Sequence, residues 1–338
     1  MADPIRYLSA ADVRAAMPPV AERLELAERT MAALVNDAEL PPKIGVHPRP
    51  PGSFAHAMPA ALRPTERGID TSPDLLGIKW VAGFPENRAS GLPAIHAIVI
   101  LSDPVTGQPR AILDGGPITA ERTAAVSGVA IARFAPLRAP DGGVPGPARV
   151  TIIGAGVQGH SHLAVIGHVL AGAALTIVDR HVERAEALAD AARQTPGIAT
   201  AEVSDDARSA SSVADVVITA ASFTDPAHRQ VMDSSWLDPG ALVVAVDYAT
   251  MVGASVAREA ALFVVDERGQ FLANRDAGQF DDYPDPATTL GEAIRDGTPR
   301  PIGRVVVTHL GVGLADVVFG DAIVRRAEAE GLGTLLGG

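Results

Sequence analysis

Two kinds of hydrophobic pattern divide the chain near residue 149. Before that point, short apolar runs such as "SFAHAMPA" and "LLGIKWVAGF" alternate with turns rich in proline and glycine, which is typical of antiparallel strands. After it, "RVTIIGAGVQG", "HSHLAVIGHVLAG" and "ALTIVD" have the patterns of strand, helix and strand in turn. Later apolar runs are short and separated by helical or loop sequence, as a mainly parallel sheet requires. The pattern predicts an α/β protein in which an α+β domain precedes a doubly wound parallel sheet domain.

Local signals predict several elements of the first domain. Ser9, with Asp12 three residues on, is a candidate helix N-cap, and Pro18 and Pro19 should interrupt that helix and let it restart. The turn "SDPVTGQP" between two apolar runs predicts a hairpin. Thr119 is a candidate N-cap for the helix in "PITAERTAAVSGVAIARF".

The composition of "APLRAPDGGVPGPA", residues 135–148, is that of a linker and places a domain boundary nearby. We expect residues 1–127 to form one domain and residues 128–312 to form the parallel-sheet domain. Residues 313–338 are expected to form a C-terminal helix that returns to the first domain.

Composition and charge exclude several classes of protein. With 338 residues, 47% of them hydrophobic, the chain is long enough for two folded domains. Its net charge of −12, with no basic block, argues against nucleic acid as a partner. The absence of cysteine excludes disulfides, thiolate zinc sites and cysteine nucleophiles.

An uncharged segment, residues 150–178, has the length of a membrane span. The glycines and histidines of "GAGVQGHSH" make a strand, a tight turn and a buried helix the better interpretation. The start of the chain, "MADPIRYLSAADVRAAM", has no apolar core of the kind a signal peptide needs. We therefore expect a cytoplasmic protein with no membrane partner.

Gly154, Gly156 and Gly159 follow a predicted strand and open a predicted helix in the pattern G-x-G-x-x-G. In a dinucleotide site the first glycine permits the turn, the second lets a pyrophosphate approach the backbone, and the third packs helix on strand. Asp179 ends the next strand, 20 residues after Gly159, where its carboxylate can accept hydrogen bonds from the adenosine ribose. Arg180 is either a ligand for a 2′-phosphate or a solvated loop residue. We expect NAD(H), with NADP(H) as the alternative.

Four segments together resemble the ornithine cyclodeaminase/mu-crystallin family: "KW" at 79–80, "PEN" at 85–87, "LDGGPITAERTAA" at 113–125, and the glycine turn. The resemblance extends over roughly residues 40–333. It implies that residues 128–312 are a Rossmann dinucleotide-binding domain, and that residues 1–127 are a substrate-binding and dimerisation domain for a small amino or imino acid in a homodimer. The N-terminal sheet domain, completed by the C-terminal helix, would supply the dimer interface.

The same resemblance implies roles for single residues. It puts Lys79 at the active-site lysine of the family, Arg122 at the arginine for the substrate carboxylate, and Lys43 where many members have a second cation. Thr123 and Gln158 would lie near the cofactor phosphates. The candidate cofactor-binding residues are Gly154, Gly156, Val157, Gln158, Gly159, Asp179, Arg180, Thr123 and Ser222.

Composition draws attention to the same lysines independently. Of the 28 lysines and arginines, only Lys43 and Lys79 are lysines. An ammonium can give up a proton after a modest fall of its pKa, and a guanidinium cannot. Clustering with Arg122 and Lys43 should lower the pKa of Lys79. The alternative is that Lys79 is a snorkelling strand residue and Lys43 a loop cation.

One position departs from the family pattern. Cyclodeaminases of the family carry a catalytic aspartate after a late strand, and an ungapped alignment of "PGALVVAVDYATMVGASVA" puts Ala249 there. Asp247 lies two residues earlier, on the same side if the strand continues, and is either a substitute or a cap for a neighbouring loop. Members without this aspartate, mu-crystallin among them, act as imine reductases or amino-acid dehydrogenases.

We therefore expect an NAD(P)-dependent oxidoreductase that acts on the C–N bond of a small amino or imino acid, with hydride transfer between nicotinamide and the substrate α-carbon. Lys79 would handle the proton, and Arg122 with Lys43 would hold the carboxylate.

His309 stands where the family often has a small polar residue near the nicotinamide, and it either relays a proton or is structural. The alternatives are a cyclodeaminase that releases ammonia with recycled NAD, and a catalytically silent binding protein. The acidic "FDDYPDP" loop has the character of a solvated loop, so no metal is expected.

Overall fold

A computed structural model describes residues 4–65, 73–136, 146–222, 224 and 226–337. The chain divides into two compact units, Met1–Arg122 with Gly311–Gly338, and Thr123–Leu310. The boundaries expected from sequence, after residues 127 and 312, differ slightly from these divisions. Most of the expected linker, residues 137–145, lies outside the described residues.

A mixed sheet forms the centre of the first unit. Its strands within the described residues are β1 (Ile5–Leu8), β2 (Ala38–Glu39), β3 (Ile44–Val46), β4 (Phe54–Leu62), β5 (Leu75–Gly83), β6 (Ile95–Ser102), β7 (Pro109–Asp114) and β16 (Thr334–Leu336). The order is β16-β1-β7-β6-β5-β4-β2, and β3 also pairs with β4. Strands β4, β5, β6 and β7 pair antiparallel with one another in that order, which confirms the predicted antiparallel strands and the β6–β7 hairpin, while β1 pairs parallel with β7.

The first helices follow the local signals closely. Ser9 and Asp12 form a reciprocal capping box at the start of α1 (Ala10–Ala15). The chain breaks at Pro18 and Pro19 and continues as α2 (Val20–Ala33). The N-cap predicted at Thr119 is wrong, because α3 (Gly115–Phe134) begins four residues earlier. The carboxylate of Asp114, at the end of β7, accepts a hydrogen bond from the backbone N–H of Gly116 and supplies that end of the helix with an acceptor.

One face of the first sheet is covered by the C-terminal helix α10 (Gly313–Glu330), which packs on β4, β5 and β6. Alternation along β5 places Lys79 on this covered face and Trp80 on the opposite one. Close approach of α10 depends on small residues. A Cβ on Gly313 would lie 2.5 Å from the backbone oxygen of Met58, and one on Gly77 would lie 3.0 Å from a methyl group of Val317. The helix therefore comes near enough for its polar side chains to reach Lys79.

The second unit contains a parallel sheet, whose described strands are β8 (Arg149–Ile153), β9 (Ala173–Val178), β10 (Ile198–Val203), β11 (Val216–Thr219), β12 (Leu242–Ala245), β13 (Leu262–Val265), β14 (Thr288–Thr289) and β15 (Val305–Thr308). The helices that accompany them are α4 (Val157–Val169), α5 (Val182–Arg193), α6 (Ala207–Ser212), α7 (Ala254–Arg258), α8 (Arg268–Asp276) and α9 (Leu290–Arg295). The order of the strands is β10-β9-β8-β11-β12-β15-β13-β14.

This order confirms the doubly wound parallel sheet. The chain runs outward from β8 through β9 to β10, then returns to β11 on the other side of β8. Ligands of such sheets bind at the carboxyl ends of the strands where the direction of winding reverses, which here is between β8 and β11. The uncharged segment, residues 150–178, is strand, turn, helix and strand, as interpreted. In the part of the chain that the structure describes, no helix is both long and apolar enough to span a membrane.

Candidate active site

The glycine turn follows β8 at the reversal point of the parallel sheet. Gly154 has φ of 113°, and a Cβ there would lie 2.4 Å from the backbone oxygen of Ala220, in the loop after β11. A Cβ on Gly159 would lie 2.5 Å from the backbone oxygen of Gly154 and 2.9 Å from Leu188 on α5. Glycine is therefore required at both positions, at the first for the turn and at the second for close packing of α4.

The start of α4 has the character of a pyrophosphate site. Gly156 is its N-cap and makes no side-chain capping hydrogen bond, and a Cβ placed there would meet no atom within 4 Å. Val157, the first helical residue, is 72% exposed. Open backbone N–H groups at the positive end of a helix attract phosphate, so the residues present fit the diphosphate of a dinucleotide.

Asp179, directly after β9, is bound to the glycine turn itself. One carboxylate oxygen accepts a hydrogen bond from the N–H of Ala155 at 2.8 Å, and the other from the N–H of His181 at 2.9 Å. Each oxygen has a second lone pair, so the carboxylate can still accept hydrogen bonds from a ribose. Arg180 beside it is exposed.

Three charged side chains of the first unit meet in its interior. The Nζ of Lys79, on β5, lies 2.6 Å from Oδ2 of Asp316, on α10. The Nε of Arg122, on α3, lies 3.3 Å from Oδ1 of the same carboxylate. The three side chains are at most 6% exposed. The structure thus joins the predicted lysine and arginine through a carboxylate that sequence reasoning missed. The available signal was an aspartate within the apolar run "LGVGLADVVFG".

Burial lowers the pKa of Lys79 from its ordinary value of 10.5 to about 7. Asp316 acts in the opposite direction and raises it, while Arg122 and Lys43 lower it further. The predicted fall of this pKa is confirmed, although burial contributes more to it than the neighbouring cations do. The snorkelling alternative is wrong for Lys79, because its side chain is 2% exposed and is held by a carboxylate.

Lys43 is half-buried just before β3 and lies near enough to act on two groups of the covered face. Besides Lys79, it affects His56 on β4. Burial lowers the pKa of His56 to about 4, and Lys43, His47 and Lys79 lower it as well. A positive potential therefore surrounds this part of the sheet, which suits the binding of a carboxylate.

Asp247 does not lie on a continued strand, because β12 ends at Ala245. Its buried carboxylate accepts hydrogen bonds from the hydroxyl of Thr219 at 2.8 Å and from the N–H of Ala221 at 3.0 Å. Burial raises the pKa of Asp247 to about 7. These contacts are those of a residue that caps the loop after β11. Ala249 is 1% exposed and packs within an apolar cluster.

The remaining predicted site residues lie in the second unit. His309 follows β15, is 2% exposed, and has its Nε2 atom 2.9 Å from the hydroxyl of Ser127. Thr123 is buried in α3, and Gln158 is half-buried in the first turn of α4. Ser222 is exposed in the loop after β11, the loop that faces Gly154. Among the described residues, no group of three histidine or acidic side chains is placed to hold a metal ion.

Comparison with known proteins agrees with this geometry. The model of the ornithine cyclodeaminase/mu-crystallin family matches residues 9–321. The chain belongs to this family. A nodulation efficiency protein of Rhizobium meliloti is 33% identical, with 99% of each chain covered. The ketimine reductase mu-crystallin of the mouse is 28% identical over 72% of this chain and 74% of its own.

The family fold extends over essentially the whole chain. The Δ1-pyrroline-2-carboxylate reductase of Thermococcus litoralis, solved with NADH and L-proline, superposes with a TM-score of 0.81 at 25% identity. The match covers 98% of this chain and 99% of that one. Relatives of this ornithine cyclodeaminase/mu-crystallin family member thus include reductases of C=N substrates that use a nicotinamide cofactor.

Proposed function

We propose that this protein is an NAD(P)-dependent oxidoreductase of the C–N bond of a small amino or imino acid, either an imine reductase or an amino-acid dehydrogenase. The observation that carries the proposal is a buried lysine with a pKa of about 7 that shares one carboxylate with a buried arginine. Such a lysine can donate a proton at neutral pH and take it back. The glycine turn of this chain and the nicotinamide cofactor of a relative support the proposal further.

When bound, a nicotinamide cofactor would supply or accept the hydride that is exchanged with the substrate α-carbon. The N–H groups at Gly156 and Val157 would hold its diphosphate, and Asp179 would accept hydrogen bonds from the adenosine ribose. Because Asp179 is held beside the turn by two backbone N–H groups, a 2′-phosphate would be brought against its negative charge. NAD(H) is therefore favoured over NADP(H).

Lys79 would handle the proton. In the direction of reduction its ammonium donates one proton to the imine nitrogen, and in the direction of oxidation its neutral amine accepts one from the substrate nitrogen. Asp316 keeps enough proton affinity on a side chain whose burial would otherwise lower its pKa further. The Lys79–Asp316 pair thus allows both directions near neutral pH.

Arg122 would hold the substrate carboxylate, with Lys43 as a second cation. In the described contacts, Asp316 lies against the Nε atom of the Arg122 guanidinium. A guanidinium carries five N–H donors in all. Donors therefore remain for a bidentate hydrogen bond to a second carboxylate. The ion pair with Asp316 fixes the plane of the guanidinium, so that its orientation is set before the substrate arrives.

A cyclodeaminase is less favoured by the residues present. That reaction needs a further group to direct an internal amine and expel ammonia. At the family position of the catalytic aspartate the chain has buried Ala249, and both oxygens of Asp247 already accept hydrogen bonds. A role for Asp247 in catalysis stays a prediction, which the contacts with Thr219 and Ala221 do not favour.

We also propose a homodimer that uses the outer face of the first sheet. Leu76, Trp80 and Ile98 are 37%, 43% and 41% exposed on this face, on the adjacent strands β5 and β6. Large apolar side chains grouped on one sheet face are typical of an interface. Sedimentation equilibrium should show a dimer for the native chain and a monomer for Trp80→Glu, and a native monomer would refute this proposal.

Turnover assays with the purified protein separate the candidate functions. NADH consumption with Δ1-pyrroline-2-carboxylate or other small imino acids, or NAD reduction with L-proline or other small amino acids, would support the oxidoreductase. Ammonia release from L-ornithine without net change of NADH would instead establish the cyclodeaminase. Tight NADH binding without turnover of any substrate in the panel would indicate a silent binding protein.

A further inference from the structure

Three buried polar side chains from separate elements form a hydrogen-bonded chain in the second unit. The Nδ1 of His162, on α4, lies 2.6 Å from the backbone oxygen of Gln158. Its Nε2 lies 2.8 Å from the hydroxyl of Ser127, on α3, and that hydroxyl lies 2.9 Å from Nε2 of His309. His162 and Ser127 are fully buried and His309 is 2% exposed.

The positions of the protons follow from the order of these contacts. A backbone oxygen only accepts, so Nδ1 of His162 carries a proton. Burial lowers the pKa of His162 to about 4, so this ring is neutral near pH 7 and its Nε2 accepts the single hydroxyl proton of Ser127. The oxygen of Ser127 must then accept a hydrogen bond from His309, because its own proton is already used. This assigns the proton of His309 to Nε2.

We propose that Ser127 and His162 are positioning residues that fix His309 as its Nε2–H tautomer, so that Nδ1 is the nitrogen of the neutral ring that can accept a hydrogen bond. The backbone oxygen of Gln158 sets the direction of every hydrogen bond in the chain. The arrangement parallels other sites in which a histidine base is oriented from behind by a second group. For its part in catalysis the inference rests on the proposed function, in which Lys79 transfers the proton and His309 contributes a hydrogen-bond acceptor.

The hydrogen-bonded chain of Ser127, His162 and His309 can keep its contacts with His309 either neutral or protonated. Neutral His309 donates from Nε2 to Ser127, and the imidazolium form donates from the same atom. His162 is fully buried and donates from Nδ1 to a backbone oxygen, so its hydrogen bonds are the same for both forms of His309. Nδ1 of neutral His309 therefore keeps its role as the acceptor nitrogen while the three hydrogen bonds of the hydrogen-bonded chain stay in place, which keeps reorganisation of the site small.

Nitrogen-15 NMR of the histidine rings in the free enzyme tests the tautomers directly. Long-range proton–nitrogen spectra near pH 7 should show His162 as Nδ1–H and His309 as Nε2–H, with the signals assigned through the His162→Gln and His309→Gln variants. In Ser127→Ala, His309 should change to a mixture of tautomers while His162 keeps its own. An Nδ1–H tautomer at His309 in the native protein would overturn the inference.

Kinetics test the functional part. Ser127→Ala should lower kcat by roughly 10-fold to 100-fold with little change in KM, as expected when a group that orients a reacting side chain is lost, and Ser127→Thr, which keeps the hydroxyl, should restore most of it. Thr151→Val is a matched control, because it removes another buried hydroxyl of the same unit that donates to the backbone oxygen of Ala210.

The two hypotheses fail in different ways. If the native protein turns over no amino or imino acid, the proposed function fails, yet the NMR spectra still decide the tautomers. If the native protein is active and Ser127→Ala has native kcat, the positioning role is refuted while the proposed function stands. Should Ser127→Ala not fold, the native spectra and the kinetics of Ser127→Thr still decide, because loss of turnover with the hydroxyl present would contradict the role.

Discussion

Replacement of Asp316 by asparagine removes the charge that Lys79 and Arg122 share and keeps the shape of the side chain. An opposite charge in direct contact commonly shifts a pKa by about one to three units. The pKa of Lys79 is about 7 with Asp316 present, and Asp316 is the group that raises it. In Asp316→Asn we therefore expect this pKa to fall by about one to three units.

The expected kinetic effect follows from the charge of Lys79. At pH 7 the protonated fraction should fall from about one half to about a tenth or less. If the ammonium donates the proton in reduction, kcat at pH 7 should fall about fivefold or more, and the alkaline limb of the kcat profile should move to lower pH by about one to three units. The assay is NADH-dependent reduction of an imino acid between about pH 5 and pH 9.

Asp321→Asn is the matched control. Asp321 is also a buried carboxylate of α10 and also has two cationic partners, with Arg110 at 3.2 Å and Arg325 at 3.0 Å. It has no lysine partner among the ion pairs described. Both variants should be less stable in thermal unfolding, and only Asp316→Asn should shift the pH profile. An unshifted profile in folded Asp316→Asn, or an equal shift in Asp321→Asn, would refute the role given to Asp316.

Three further predictions concern single residues. Lys79→Met should abolish turnover and leave NADH affinity within a few-fold. Because the native state binds the Lys79 proton less tightly than the unfolded chain does, the free energy of unfolding of the native protein should rise from pH 7 towards 10.5, by up to about 1.4 kcal/mol per pH unit. Urea unfolding should show that this rise is lost in the variant. Asp179→Ala should weaken NAD far more than NADP in binding titrations, and an equal loss for both would show that the ribose contact is misplaced. Asp247→Asn should cost about 1–3 kcal/mol of stability, because one of its acceptor contacts with Thr219 or Ala221 is lost, with kcat within a few-fold of native; a large fall in kcat in the folded variant would favour a catalytic aspartate.

Spacing along the sequence was sufficient to predict contacts between residues that are close together in the chain. Ser9 and Asp12 are three positions apart, so their capping box could be predicted from the sequence. The steric roles of Gly154 and Gly159 could be predicted because strand, turn and helix are contiguous. The N-cap prediction at Thr119 was wrong because Asp114, which precedes the helical pattern, supplies a hydrogen-bond acceptor earlier in the chain. The side on which Asp247 lies could not be predicted, because strand alternation ends at Ala245.

By itself the sequence determined the α/β organisation and the glycine turn and drew attention to Lys79, because periodicity, glycine spacing and residue choice are properties of the chain. Only the tertiary structure decided what these side chains contact. Asp316 is 194 positions from Arg122, and Ser127 is 182 positions from His309, so no local pattern connects either pair. Burial, which sets the pKa of Lys79, also depends on packing by distant segments, since a low dielectric arises only when the fold excludes water.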